Sequence, residues 1–498
     1  MSLSDLLARG YFPKELPAPF VTASFATVMT GTNPPPGDFA KQVTKGVKIP
    51  SAKPTKFSHA RGGILRRQLS ICNPLSIYLL SREMVDNWPA ISAQVAGTPL
   101  AATAPEFKPT GRAINGKFAQ SARSKLAQKS RLGRRFVLTT DISRFYHSIY
   151  SHSIPWALHT KPIAKGDHSF ALLGNRLDFL VRQGQDSQTV GIPIGPDTSL
   201  VLAELIMHRC DEALLAKLPS IKGHRFIDDY ELSFATRTEA EDAFHVLETC
   251  LADYELALNP KKTNVAELPI PLESPWSSQL KKFQFRTSTP GARLRCQIIR
   301  AENWEMFQRL VLLCVVPDPA VLPYALEQII SRVNGGEVPL TEEIEEIVNE
   351  LVVNHAPLRH SSEVANALWA CLALKLSLRD AAVDAVSKCE DSCTALLALD
   401  CQNKGLLAKA LDTSLWESQM SAVGLYDEHW LLAYEANIKG WLPNVGGVDH
   451  VGADANFSYL KANGVFFYDE GLATPTVQGQ IPMPKLPSIV VGSFLRSI

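Results

Sequence analysis

No apolar run in this chain of 498 residues approaches the ~20 residues that a membrane helix needs; the longest, such as Leu310–Val316, stop far short. The opening MSLSDLLARGYFPKELP lacks the basic-then-apolar order of a secretory leader. Net charge is absent too: 50 Lys and Arg balance 50 Asp and Glu. That balance excludes a generally basic nucleic-acid coat and leaves local basic surfaces open. The nine cysteines are odd in number and scattered between Cys72 and Cys401 without paired metal-ligand spacing, which argues against a disulfide framework. Cys389 and Cys393 read as core thiols. His147, His152, His159 and His168 crowd one stretch, but their spacing does not suit zinc, and surface or capping roles are the simpler reading. No Walker lysine loop or dinucleotide fingerprint occurs. What the chain does have is ordinary globular composition, 46% hydrophobic and 20% charged, in a length that suits about three domains. A soluble, cytoplasmic protein is expected.

Charge is unevenly spread. Phe39–Arg82 contains no acid but nine bases, among them Arg66 and Arg67. Lys108–Arg135 again has none, against nine bases that include Lys117, Arg123, Lys125 and Arg134. One such run is ordinarily a solvated face; two in the first third of a neutral chain suggest a phosphate-binding groove. Phe136-Val137-Leu138-Thr139-Thr140 then reads as a buried strand ending at Asp141. Thr198–Leu218 and Glu239–Leu256 have helical periodicity, the second stopped by Asn259-Pro260, and His224–Ala235 has the pattern of a strand or hairpin. Helices mixed with mostly antiparallel strands make an α+β domain. Beyond Ala301 the chain reads as successive helices: Trp304–Val315, Val321–Val333, Thr341–Val353, Glu363–Leu376 and Ala382–Cys389, a pattern that suits stacked helix pairs. The last sixty or so residues, richer in Gly, Pro and aromatics, read as a mixed cap.

Three acids stand out. Asp141 closes an apolar strand, and Asp228 and Asp229 sit inside the frame Phe226-Ile227-Asp-Asp-Tyr230. An isolated Asp-Asp pair usually marks a surface turn, but here Leu232 and Phe234 follow it in strand rhythm. Carboxylates forced together on a hairpin repel one another and are tolerated when a divalent cation neutralises them. Two Mg²⁺ ions so held are the usual device for in-line phosphoryl transfer.

With these acids in place the sequence resembles a reverse transcriptase. Asp141-Ile-Ser-Arg-Phe145-Tyr146 is similar to its A motif, Gly191-Ile-Pro193-Ile-Gly195-Pro196 to B, Phe226-Ile-Asp228-Asp229 to C and Leu258-Asn-Pro-Lys-Lys262-Thr263 to D. Upstream, Arg67-Gln-Leu-Ser-Ile-Cys-Asn73-Pro74 is similar to the fingers motif, and the likeness to these enzymes in general spans about residues 55–290. The resemblance implies metal ligands at Asp141, Ile142, Asp228 and Asp229. It places Tyr146 under the incoming sugar, where a ring collides with a 2′-hydroxyl and selects deoxynucleotides. It puts Gly191, Pro193 and Gly195 against the nucleotide and the strand it pairs with, and Arg67, with Arg66 beside it, and Lys262 on phosphates. Lys117, Arg123, Lys125 and Arg134 are expected on nucleic acid.

A narrower likeness lies in GYFPKELPAPF, DISRFYHSIYSHSIPWALHTK, GIPIGPDTSLVLAEL, RFIDDYELSF and HWLLAYEANIKGWL, which look like the abortive-infection and related defence-associated bacterial reverse transcriptases. That family implies a fingers–palm unit followed by an all-α, HEAT-like repeat domain in place of a thumb. The expected division is 1–135 (N-terminal segment and basic fingers), 136–298 (palm), 299–434 (helical repeats) and 435–498 (cap). It also implies anti-phage defence, dNTP substrates, two Mg²⁺ ions that Mn²⁺ can replace, trimers or hexamers, and a partner non-coding RNA in some relatives. DNA synthesis would begin on a protein hydroxyl, leaving product covalently attached, and would need no template. No local pattern singles out the priming tyrosine. One departure bears on copying: the usual Pro-Gln-Gly of the B motif is Pro193-Ile194-Gly195, which removes a polar group near the template. Conventional RNA-templated cDNA synthesis and a non-catalytic RNA-binding scaffold are the alternatives.

Overall fold

The computed structural model describes residues 1–272, 330 and 342–472, apart from 33, 34, 45 and 62–64. A short helix, α1 (Leu3–Arg9), opens the chain, capped by the Ser2 hydroxyl, which accepts from the Asp5 amide. The hairpin β1 (Thr55–Ala60) and β2 (Arg66–Ile71) follows. α2 (Pro74–Asp86) starts where Asn73 accepts from the Leu75 amide and Pro74 takes the first turn, whose amide needs no partner. β3 (Pro105–Phe107) and β4 (Ile114–Gly116) form a small ribbon ahead of the basic helix α3 (Arg123–Arg131).

The central sheet is antiparallel, with spatial order β6 (Lys222–Phe226), β7 (Asp229–Phe234), β5 (Phe136–Asp141) and β8 (Asn264–Glu267). Its period of two separates the faces. Leu138, Tyr230, Leu232 and Arg225 share one face, in the register Leu138↔Leu232 and Arg225↔Tyr230. That face is sealed by α4 (Asp197–Lys217) and α5 (Arg237–Ala252). The opposite face bears Asp141, Asp229, Glu231 and His224 (Asp141↔Asp229, His224↔Glu231) and receives α3. The strand expected over 136–140 includes Asp141, and the helix expected over 198–218 runs Asp197–Lys217. The other expected helix starts earlier, at Arg237, because Thr236 and Glu239 form a reciprocal capping box, and it ends at Ala252. It stops well before Asn259-Pro260: Glu255 enters the left-handed region, φ +62°, and the Leu256 amide bonds back to the Leu251 carbonyl.

Residues 342–472 form helices: α6 (Glu342–His355), α7 (Ser361–Leu374), α8 (Asp380–Val386), α9 (Ser392–Asn403), α10 (Trp430–Lys439) and α11 (Ala455–Ala462), with short turns between. Every residue of α7 is buried, as befits a helix apolar nearly all round, and it packs on α6, α9 and β1. The helices expected over 304–315 and 321–333 lie outside the described residues except for Ile330, as does the cap beyond Leu472. Several ties bind the helical region to the rest. Arg66, expected on phosphate, grips both oxygens of the fully buried Glu363, while the Ala60 amide donates to Ser362 Oγ (3.0 Å). The N-terminal segment meets the last described residues: Tyr11, Phe12 and Phe25 pack their rings on Phe467, which Trp430 also meets, and the Tyr11 hydroxyl donates to the Cys72 carbonyl. The seven described cysteines are buried free thiols, Cys389 and Cys393 among them. Among the described residues no helix is long and apolar enough to cross a membrane.

Candidate active site

Strand register does the first part of the assembly. Asp141 is the last residue of β5 and Asp229 the first of β7, directly opposite each other. Phe226 pairs with Asp229, so β6 and β7 are joined by a two-residue turn, Ile227-Asp228. Asp228 therefore sits at the hairpin tip, and the three carboxylates bring oxygens within 4.8 Å of one another. The tip is fixed to its neighbour strand: the Ile142 amide donates to the Asp228 carbonyl (3.1 Å), and the Asn259 amide to the Asp141 carbonyl (2.7 Å).

Crowding shows in the electrostatics. Burial, then the charges of Asp229 and Asp141, pushes Asp228 up to about 7. Burial also raises Asp141, with Lys262 opposing it. Two cations lean in: Lys262 Nζ lies 2.8 Å from Asp141 Oδ2, and Arg123 Nη2 lies 2.9 Å from Asp229 Oδ2. Three hard oxygen donors whose own repulsion calls for positive charge suit Mg²⁺ or a similar divalent ion. The residues present fit such an ion.

Around the cradle, Tyr146 lies on a one-turn helix, Phe145–Ser148, after Arg144 at φ +47°. Its hydroxyl is held neutral by burial and by the nearby charges of Glu204 and Asp228. Arg67 is half-buried on β2, makes no side-chain hydrogen bond or ion pair among the described residues, and bears electrostatically on both Asp228 and Tyr146. In the B loop the Ser70 amide donates to the Ile194 carbonyl, just after Pro193. Gly191 (φ +89°) and Gly195 (φ +133°) adopt conformations few other residues tolerate, and a Cβ on Gly195 would come within 2.5 Å of Pro13. The N-terminal segment is thus seated on the B loop. Arg112 fastens it, donating to the Phe12 and Gly195 carbonyls and to Asp197.

The acid-free run 108–135 is not a bare basic groove. Arg112 pairs with Asp197, Arg123 with Asp229, Arg131 with Glu231 through two bonds, and Arg135 with Glu267. Arg123 also lies over the Phe226 ring. The run is acid-free in sequence, but its acids come from the sheet it covers and, for Arg112, from the first residue of α4. Lys117 and Lys125 remain exposed, and Arg134 keeps a buried Nε without a hydrogen-bond partner. Three residues of this neighbourhood, Arg112, Asp197 and Arg225, escaped the sequence reading. None of the three had a local signal: Arg225 lies in a strand, Lys222–Phe226, that also carries Lys222 and His224.

A second group, His355, His360 and Glu363, also clusters closely enough for a metal. Both oxygens of Glu363 are taken by Arg66, and the two Nδ1 atoms lie at hydrogen-bond distance, 2.9 Å. Its charge is already neutralised, so it reads as an anchor.

Residues 90–287 match the model of the reverse transcriptase (RNA-dependent DNA polymerase) family. The match takes in all three acids, Tyr146, the B loop and Lys262, and begins after Arg67. No curated protein matches the chain. This part of the chain is a reverse-transcriptase domain, with nucleic acid and deoxynucleoside triphosphates as the substrates such domains imply and RNA-directed DNA polymerase activity as its chemistry.

Proposed function

We propose that the reverse-transcriptase domain makes this protein a Mg²⁺-dependent DNA polymerase of anti-phage defence, priming on one of its own hydroxyls and working without strict need of a template. The polymerase reading rests on one observation: Asp141, Asp228 and Asp229 converge from two strands and a turn into one cradle. These acids, with the Ile142 carbonyl, would hold two Mg²⁺ ions, which would supply activation of an attacking hydroxyl and charge stabilisation of a departing pyrophosphate. The chain's own residues do the rest. Tyr146 presents a neutral ring that excludes ribose. Arg67, without a side-chain partner among the described residues, offers its guanidinium to the triphosphate. Lys262 holds a proton at Nζ, at the cradle's rim, for the pyrophosphate.

Three observations favour loose template dependence. Ile194 offers no side-chain amide to a template base. Pro13 is seated against Gly195. Helix α3 lies on the acid-bearing face of the sheet, where a template–product duplex would have to run, leaving exposed Lys125 as the contact for a single strand, with Lys117 and Arg134 beyond the helix. Defence, protein priming, a homo-oligomer of three or six chains and a non-coding RNA partner rest on the family resemblance. So does a HEAT-like reading of α6–α10, which the pairing of α6 with α7 and α7 with α9 favours.

Purified protein incubated with radiolabelled dNTPs and Mg²⁺ should yield label that migrates with protein on a denaturing gel and is released by protease. Free label whose composition follows an added RNA would instead establish templated synthesis. RNA binding with no incorporation under Mg²⁺ or Mn²⁺ would leave only a scaffold.

A further inference from the structure

Directly beneath the catalytic turn lies a sealed ionic cluster. Arg225, fully buried, donates through Nη2 to Glu204 Oε2 (2.9 Å) and Asp211 Oδ2 (2.8 Å), and through Nε to Asp211 (3.1 Å). Glu204 and Asp211 come from α4 and are equally buried. At the far end Asp211 also accepts from the Tyr230 hydroxyl (2.6 Å) and from Thr98 Oγ1 (2.9 Å). At the near end Thr103 Oγ1 donates to Glu204 Oε1 (2.5 Å).

Two further bonds of this cluster go to the backbone of a single residue, Ile227, one on each of the peptides that flank it. Arg225 Nη1 donates to the Ile227 carbonyl (2.7 Å), and the Ile227 amide donates to Thr103 Oγ1 (2.8 Å). Ile227 stands at φ +55°, a conformation that turns of this kind ordinarily give to glycine and that a β-branched side chain resists. A backbone so placed persists only where its surroundings over-determine it. Buried ion pairs are also a poor route to stability, since taking the charges out of water costs about what their attraction returns. What such a cluster does supply is direction. The residue it directs immediately precedes Asp228.

We infer that Arg225, Glu204 and Thr103 are positioning residues that hold the Ile227 backbone in its left-handed conformation and so aim the Asp228 carboxylate at Asp141 and Asp229. The inference rests on the polymerase reading of the acid cradle. Thr98, bonded to the same cluster at the end away from the turn, is the internal control.

The test compares Thr103→Val, Thr103→Ser and Thr98→Val for dNTP incorporation, Mn²⁺ affinity by titration calorimetry, and melting temperature. Thr103→Val keeps the shape and removes both bonds; it should lower kcat and Mn²⁺ affinity roughly 10–100-fold, the range for a group that orients a metal ligand, with KM for dNTP little changed. Thr103→Ser should restore both. Thr98→Val should depress the melting temperature as much as Thr103→Val yet leave kcat and Mn²⁺ affinity unchanged. Wild-type kcat and affinity in Thr103→Val, or equal losses in Thr98→Val, would overturn the inference. Undiminished incorporation by Asp228→Ala would instead overturn the polymerase reading, and the Mn²⁺ titration would still report on the cradle.

Discussion

Two gatherings of carboxylates lie back to back across one hairpin, and they are built in opposite ways. On one side Asp141, Asp228 and Asp229 face Lys262 and Arg123, long side chains with 29% and 26% of their surface exposed, each making one short contact with a carboxylate. On the other, Glu204 and Asp211 are held by a single guanidinium with no exposure at all, supplemented by the hydroxyls of Thr98, Thr103 and Tyr230. A site that must exchange its counter-charge needs cations that can leave, and loosely held Lys and Arg at a rim can. A site that must keep its shape needs every lone pair committed, because a partly satisfied buried network is worse than none.

The contrast is most sharply broken by substitution on each side. Asp228→Ala with Asp229→Ala should abolish dNTP incorporation while raising the melting temperature of the metal-free protein, since mutually repelling charges are removed. Arg225→Met should destabilise instead: it strands two buried carboxylates and should cost ~3–5 kcal/mol of stability, read by urea denaturation. A loss of stability on both sides, or a gain on both, would erase the distinction between the two clusters.

Proton titration sharpens it. Asp228 stands at about 7 in the fold against 3.8 as its ordinary value. Between those limits the folded protein holds a proton that the unfolded chain has released, so the metal-free protein should lose stability as pH rises from about 4 to 7 and level off above. Because a divalent ion must displace that proton, Mn²⁺ affinity should run the other way, falling as pH drops below about 7, as titration calorimetry would read. Asp228→Asn should flatten the stability profile. The smallest effect belongs to the rim: Arg123→Ala removes a cation from beside Asp229 and should tighten Mn²⁺ binding a few-fold by calorimetry, while costing at most ~1 kcal/mol of metal-free stability for so exposed a pair.

Much of the site was legible because its parts announce themselves locally. A β-branched run ending in Asp141 and an Asp pair within a strand rhythm are patterns of neighbouring residues, and period-two pleating alone puts Asp141 and Asp229 on one face once the strands pair. The basic runs misled for the complementary reason. Arg66 finds Glu363 nearly three hundred residues away, and Arg131 finds Glu231 a hundred away, so counting charges in a window says where bases are and nothing of what they meet. The seating of Pro13 on Gly195 and of Tyr11 against Phe467 had no local mark either.

By itself, then, the order of residues determined the strand-and-helix alternation, the acids and the ring of Tyr146, since each depends on spacing along a few turns or pleats. Only the tertiary structure decided which cation answers which acid, and that an isoleucine is bent into a glycine's conformation by an arginine and a threonine beneath it. Ion pairing and backbone strain are settled by what packing brings within three ångströms or so, and that distance is not written in sequence separation.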